Sequence, residues 1–409
     1  MGIIGQLGPA FGLTLVQFLA ALPWLWAIDR NAFRQTLRRP SALANLVAVL
    51  AGITVLLAVV IYYQRGANLL ELLGRVYASV LHVQLIVDFF VLVFGVILTV
   101  WPKGGAVALA AFREGVRQPM YWLIGLTAVI VFLVAVVLPY FTFGDDYKMM
   151  KQICFDVTML AALVFGVLAA SISIHEEIEG RTAVTLMSKP VTRRQFLIGK
   201  YLGIFLASLS LTLFIGWFMN WVLLVQPTLN PMDDAVDPLV AQSQGALIPW
   251  AVRLATPDSF LLIKGATLWL GDSIANGLGT LLGFGKVMVL VALASALATR
   301  MPLITNLLIC VFVFALGHLA PVLRRVSTEL RNQNPDNTAL SLVNFLTQTL
   351  ETLTPALEFF DMGPAIIRDT PIEFSAFAQY VGSAAVYGVV YTIIALLFGL
   401  ILFEDRDLA

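Results

Sequence analysis

HEEIEGRTAVTLMSKPVTRRQFLIGKYLG, residues 175–203, is the longest charged run in a chain that is otherwise mostly apolar. Three acids come first, Glu176, Glu177 and Glu179. Gly180 then permits a sharp turn. Thr182 to Ser188 reads as a short helix with one apolar side, and Pro190 stops it because proline cannot continue the hydrogen-bond ladder. Thr192 followed by Gln195 is a capping box. A new helix therefore starts at Arg193 and runs through Gly199 and Lys200 into the next apolar stretch. An ordered turn with no partner is one reading of the run. Against it, a connection that only reverses direction needs far fewer residues, and an apolar-sided helix exposed to water needs something to cover it.

The surroundings fix the solvent. The chain has 409 residues, 59% hydrophobic and 12% charged, with a mean hydropathy of +0.89. An average soluble domain is about 25% charged, so this chain cannot cover a water-facing surface of its size. An integral membrane protein built of helices follows. The formal net charge is zero, so no global field argues for nucleic acid, and the lipid bilayer is the expected partner. The start MGIIGQLGPAFGLTL has neither the basic beginning nor the cleavage-type ending of a signal peptide, and none is expected. Cys154 and Cys310 sit far apart in apolar runs and read as buried, inert thiols. His82, His175 and His318 show no metal-ligand spacing, and no metal is expected.

A helical span needs about 20 apolar residues. Nine stretches qualify: 8–28, 43–63, 80–101, 120–140, 153–174, 201–225, 280–299, 303–320 and 380–403. The weakest is 280–299, which contains Lys286 and several glycines. Lys and Arg in short loops set the orientation. Arg30, Arg34, Arg38 and Arg39 follow the first span, Lys103, Arg113 and Arg117 the third, and Arg181, Lys189, Arg193 and Arg194 the fifth. The N-terminus is expected outside and the C-terminus in the cytoplasm of a cell inner or plasma membrane. The outer loops, 226–279 and 321–379, are long and contain amphipathic pieces, which read as helices lying on the membrane or as a lid over an exit path.

AFRQTLRRP (32–40) and AFREGVRQP (111–119) are alike, and each directly precedes a span. Such a segment reads as an interfacial helix whose arginines face anionic headgroups and whose proline ends it before the chain enters the bilayer. In the second copy Phe112, Arg113, Arg117 and Pro119 carry the pattern. Duplication and convergence both explain the likeness.

With these residues in view, the chain resembles a family. Glu177, Gly180, Arg181, Thr182, Leu186, Met187, Ser188, Pro190, Val191, Thr192, Arg193, Phe196, Leu197, Gly199 and Lys200 are similar to the cytoplasmic loop of type-two ATP-binding-cassette (ABC) exporter permeases. The elbow helix of that family, 104–119 here, the PALEFFD element (355–361), and Phe403, Arg406 and Asp407 at the end fit the same resemblance. It implies an all-α polytopic membrane protein of about nine transmembrane helices, the last six in the type-two exporter permease arrangement. It covers residues 104–409 and leaves 1–103, a three-helix membrane extension, outside the usual plan. The resemblance further implies that the loop 175–200 couples to a separate cytoplasmic ABC ATPase subunit. A second permease copy or paralogue, ATP with Mg on the partner ATPase, and no cofactor on this chain are implied too.

This chain shows no ATP site of its own. A phosphate loop needs G-x-x-x-x-G-K-[ST]; Gly285-Lys286 has Thr280 and Val287 at the flanking positions, and Gly199-Lys200 has Arg194 and Tyr201. Two other classes stay open. An intramembrane enzyme would draw on Asp88, Asp156, Lys286 and His318, since ionisable residues in spans are functional candidates by default. No motif groups them, and Asp156, Lys286 and His318 read as lying near outer span ends, where snorkelling suffices. Asp88 is deepest and reads as structural pairing or pore lining. A non-transporting scaffold or channel explains the spans and leaves the charged run unexplained. Gly199 with Gly203, and Gly279 with Gly283, have the G-x-x-x-G spacing of close helix contacts, inside the chain or at a dimer seam. The substrate is not legible.

Overall fold

The computed structural model describes residues 3–64, 66–138, 145–179, 191–229, 237–334, 337–367 and 372–404. Among them, the regular elements are all helices. Nine are long and apolar enough to cross a bilayer, and they match the nine expected stretches. They are α1 (Leu7–Ile28), α3 (Pro40–Tyr63), α4 (Ala67–Val100), α6 (Pro119–Val137), α7 (Asp146–Glu179), α8 (Arg193–Leu229), α10 (Phe260–Leu297), α11 (Leu303–Gln333) and α14 (Phe374–Glu404). Between them lie α2 (Arg30–Arg38), α5 (Pro102–Arg117), α9 (Pro238–Leu254), α12 (Thr338–Leu353) and α13 (Gly363–Ile367). Short 3-10 turns occupy Ile3–Gln6 and Leu357–Phe360.

Hydropathy marks where the apolar stretch ends, not where the helix ends. α7, α8 and α10 have 34, 37 and 38 residues. At about 1.5 Å per residue each is over 50 Å long, against a hydrocarbon core of about 30 Å. The stretches expected as outer loops are therefore mostly helix. In 226–279, α8 runs to Leu229, α9 follows, and α10 begins at Phe260, twenty residues before the expected span 280–299. In 321–379, α11 continues to Gln333 and α12 folds back along it. Ser327 Oγ lies 2.8 Å from Thr347 Oγ1, Thr328 donates to Asn344 at 3.1 Å, and Arg324 pairs with Glu351.

α10 is the central pole. In its most apolar window 83% of residues are buried, against 22% for α6, α11 and α14, which face outward. A helix apolar all round belongs in the middle of a bundle. Its glycines let neighbours approach: a Cβ on Gly285 would meet the Phe360 ring, and one on Gly283 would lie 2.7 Å from Met159 Cγ. Asn276 donates to Asn220 of α8 at 2.8 Å, and Asn306 of α11 donates to Ser171 of α7 and to the Ala294 carbonyl, both at 2.9 Å. Away from water, such interhelical bonds fix register.

The N-terminal helices belong to this packing. α4 lies along the far half of α10, where a Cβ on Gly74 would strike the Leu262 carbonyl and one on Gly265 the Glu71 carbonyl. Around this notch Glu71 pairs with Lys264 at 3.0 Å and Arg75 with Asp272 at 3.1 Å. Ser79 Oγ accepts from Trp217 at 2.8 Å and Trp221 at 2.9 Å of α8.

The two similar nonapeptides fold alike and pack differently. α2 and α5 each stop just before a proline, which takes the first turn of the next helix, where its missing N–H costs nothing. Among α2's residues none is buried. α5 buries Gly104, Val107, Ala108, Ala111 and Gly115.

Candidate functional site

α5, the junction between α7 and α8, and the last turn of α14 share one end of the bundle, called here the α5 end. Gly199 and Gly203 bring α8 onto α5. A Cβ on Gly203 would strike the Ala108 carbonyl, and one on Gly199 would lie 2.9 Å from the Gly104 carbonyl. Gly279 similarly seats Phe155 and Met362, and Gly283 seats Met159. Both G-x-x-x-G pairs thus serve contacts inside the chain.

This close approach buries Lys200 between three helices. Its Nζ lies 2.5 Å from Glu177 Oε1 of α7, 2.9 Å from Ser173 Oγ and 3.2 Å from Glu114 Oε2 of α5. Ser173 donates in turn to Glu114 Oε1 at 3.2 Å. Ser173 and Glu177 sit one turn apart on α7, so both reach the same ammonium. Lys200 is 4% exposed, and a buried cation needs such a cage of acceptors.

The start of α8 is fixed a second way. The capping box forms: the Thr192 N–H donates to Gln195 Oε1 at 3.1 Å, and the Gln195 N–H to Thr192 Oγ1 at 3.2 Å. Arg193 Nη1 then donates to the Phe403 and Glu404 carbonyls at 2.7 and 2.8 Å, and its guanidinium lies over the Phe403 ring. Arg300 Nε donates to the Leu402 carbonyl at 2.8 Å. Cations at a helix C-terminus satisfy orphan carbonyls and complement the dipole. Beneath them Ile174, Ile178, Phe196, Leu197, Ala298 and Phe403 form one buried cluster.

Of the residues singled out in the sequence, Glu176 is exposed, Glu177 and Lys200 form the ion pair, and α7 reaches Glu179. Gly180, Arg181, Thr182, Leu186 and Pro190, with the short helix read at 182–188, lie outside the described residues, as do Arg406 and Asp407. Arg113 and Arg117 are exposed on α5, Phe112 stacks against Phe90 and Phe94, and Pro119 opens α6. Sequence reasoning passed over Glu114 and Ser173. A signal existed for Glu114: the two nonapeptides differ there, Gln35 against Glu114, and only the copy with the acid meets Lys200.

A second constellation adds a grouping that no sequence motif announced. Asp156, Lys286 and His318 line one cleft of about 1110 Å³ between α7, α10 and α11. Lys286 lies about 16 Å along α10 from Leu297. Its ammonium pairs with Asp361 and lies 3.3 Å from His318 Nε2. Snorkelling does not account for this; a partner carried into the bundle does. Leu357–Phe360 wedges against Gly317 of α11 and Gly285 of α10, which holds Asp361 at the level of Lys286. Arg325 and Glu358 form a further pair at the far rim. Asp88 is buried on α4, outside both constellations.

No curated protein matches the chain. Residues 116–239 match the family model described as "ABC-2 family transporter protein". This segment holds α6, α7 and α8, including Ser173, Glu177, Arg193 and Lys200; Phe112, Arg113 and Glu114 of α5 precede it. On that match, residues 116–239 carry an ABC-2 family transporter domain.

Proposed function

We propose that the chain is the permease subunit of an ATP-binding-cassette exporter, driven by ATP and Mg on a separate ATPase subunit. In this reading the α5 end faces the cytoplasm, as its arginine-rich connections favour. The ATPase docks on the 175–200 segment, from Glu176 and Glu179 across Gly180, Arg181, Thr182, Leu186 and Pro190 to Thr192. A second permease copy or paralogue completes the transporter.

One observation carries the reading. The helix ends on both sides of that segment are braced, by Lys200 to α5 and by Arg193 to the last span. α8 continues from the capped Thr192 through 37 residues. A push on a free loop would be lost in the loop. A push on this junction moves α5, α7, α8 and α14 together, which is the rigid lever that a two-state permease pair requires.

Capture of the full chain from its native membranes tests this. An ABC ATPase with Mg-dependent ATP hydrolysis is expected in the captured material. Scrambling residues 180–190, or substituting Glu177→Ala, is expected to remove it. Undiminished ATPase capture by the scrambled chain overturns the proposal.

A further inference from the structure

The cleft between α7, α10 and α11 carries both charged groups and an apolar wall. α7 and α10 run parallel in register: Cβ atoms on Gly166, Gly283 and Gly279 would meet Val291, Met159 and Phe155 in turn. On that register Leu163 lies about level with Lys286, and Leu160 about 3 Å farther from the α5 end. Asp156 lies about 9 Å farther from the α5 end. Phe314 faces the same cleft from α11. Asp156 therefore stands toward the far end of the cleft, and Leu160, Leu163 and Phe314 give the part nearer the α5 end an apolar wall beside the Lys286–Asp361 pair. Leu160 is 54% exposed at the rim, so the cleft opens sideways toward lipid.

The charges do not balance. Lys286 is matched by Asp361 and Arg325 by Glu358. His318 Nδ1 lies 2.9 Å from the Phe314 carbonyl and its Nε2 lies 3.3 Å from the Lys286 ammonium. A carbonyl needs an N–H donor, and an ammonium needs a lone pair, so these two contacts fit the Nδ1–H tautomer. Asp361 Oδ2, at 4.0 Å from Nε2, is beyond hydrogen-bond reach. Among the described lining residues, Asp156, exposed into the cleft and sharing the field of Lys286 with Asp361, is one carboxylate in excess. A carboxylate facing an open cleft with fewer cations than carboxylates around it favours a cationic ligand.

We infer that this cleft binds an amphiphile with a cationic head group, an amine or ammonium on an alkyl chain. The head pairs with Asp156, and the chain lies over Leu160, Leu163 and Phe314. An anionic head would meet Asp156 as a like charge, and the cations that could offset it are already paired. The volume is ample for such a molecule. As the transported class, it rests on the permease reading; as a binding site, it does not.

The test is equilibrium binding of radiolabelled hexadecyltrimethylammonium to the full chain in nanodiscs of zwitterionic lipid, against empty nanodiscs. Saturable binding above the empty discs is expected. Asp156→Asn is expected to weaken it about tenfold, or about 1.4 kcal/mol, Asp156→Glu to retain it, and hexadecanol or hexadecyl sulfate to compete poorly. Binding no greater than to empty discs, equal affinity of Asp156→Asn, or equal competition by the sulfate overturns the inference. Asp156 is exposed, so its substitution leaves the packing intact, and a matching melting temperature checks that. ATPase capture is scored separately. Capture without amphiphile binding sinks the ligand alone, and binding without capture sinks the permease reading alone.

Discussion

Lys200 Nζ lies 2.5 Å from Glu177 Oε1, so the helices on either side of residues 180–192 are joined by an ion pair before the chain leaves them. Glu114 of α5 shares the ammonium. Lys200→Met removes the cation that both carboxylates and Ser173 converge on. A fully buried pair costs about 3–5 kcal/mol to break. Glu114 and Glu177 keep 43% and 26% of their side-chain exposure, so about 1–3 kcal/mol is expected here. Thermal denaturation of the purified full chain checks it. A melting temperature equal to wild type would show that the ammonium is not bracing the junction.

Gly203→Ala should cost more than its single methyl suggests. The new Cβ meets backbone on α5, the Ala108 carbonyl and the Phe112 nitrogen, rather than a side chain that can turn away. Overpacking of this kind costs about 1–3 kcal/mol. Gly277→Ala on α10 is the control, since nothing lies within 4 Å of its Cβ position. It should be neutral, or stabilising by up to about 1 kcal/mol through helix propensity. Equal melting temperatures for the two variants would refute the close α5–α8 contact.

These contacts divide what the sequence reveals from what it hides. The nine spans were legible because an apolar run of bilayer length has few other uses. The Thr192/Gln195 cap was legible because it is local, three residues apart. Lys200 was singled out within its motif, but its partners, Glu114 and Ser173, lie 86 and 27 residues away in the chain, and only packing joins them. Lys286 hides its partner for the same reason. α10 begins twenty residues before the apolar window that contains Lys286, and Asp361 comes from a stretch that reads as an outer loop. The pairing of the N-terminal helices with α10 through Gly74 and Gly265 is likewise a relation between faces, which hydropathy does not encode.

Arg193 holds the last turn of α14 through the Phe403 and Glu404 carbonyls. Hydrogen bonds to a charged donor contribute about 1.5–3 kcal/mol, so Arg193→Ala should speed hydrogen exchange at the α14 C-terminus about tenfold or more. Arg193→Lys should be intermediate: it keeps the charge but loses the planar fork and its place over the Phe403 ring. Exchange at 400–404 that matches wild type in both variants would mean the guanidinium does not hold that turn.

Lys286 and Asp361 allow a sharper experiment, because each should be worse alone than both absent together. Lys286→Met leaves the Asp361 carboxylate inside the bundle with no ammonium, and Asp361→Leu leaves the ammonium with His318 and the Asp156 carboxylate across the cleft. Either single change should lower stability by about 3 kcal/mol, the scale for an ion stranded away from water. The double variant, Lys286→Met with Asp361→Leu, strands nothing and should recover most of that loss, giving a coupling energy of about 2–3 kcal/mol. Melting temperatures of the four proteins in one detergent supply the cycle. Additive losses would mean that the two groups do not pair, and the wedge at Leu357–Phe360 would then owe its position to the packing of Phe360 on Gly285 alone. Recovery in the double variant would instead assign the ion pair the task of setting how deeply that wedge, and with it the wall of the cleft, enters the membrane.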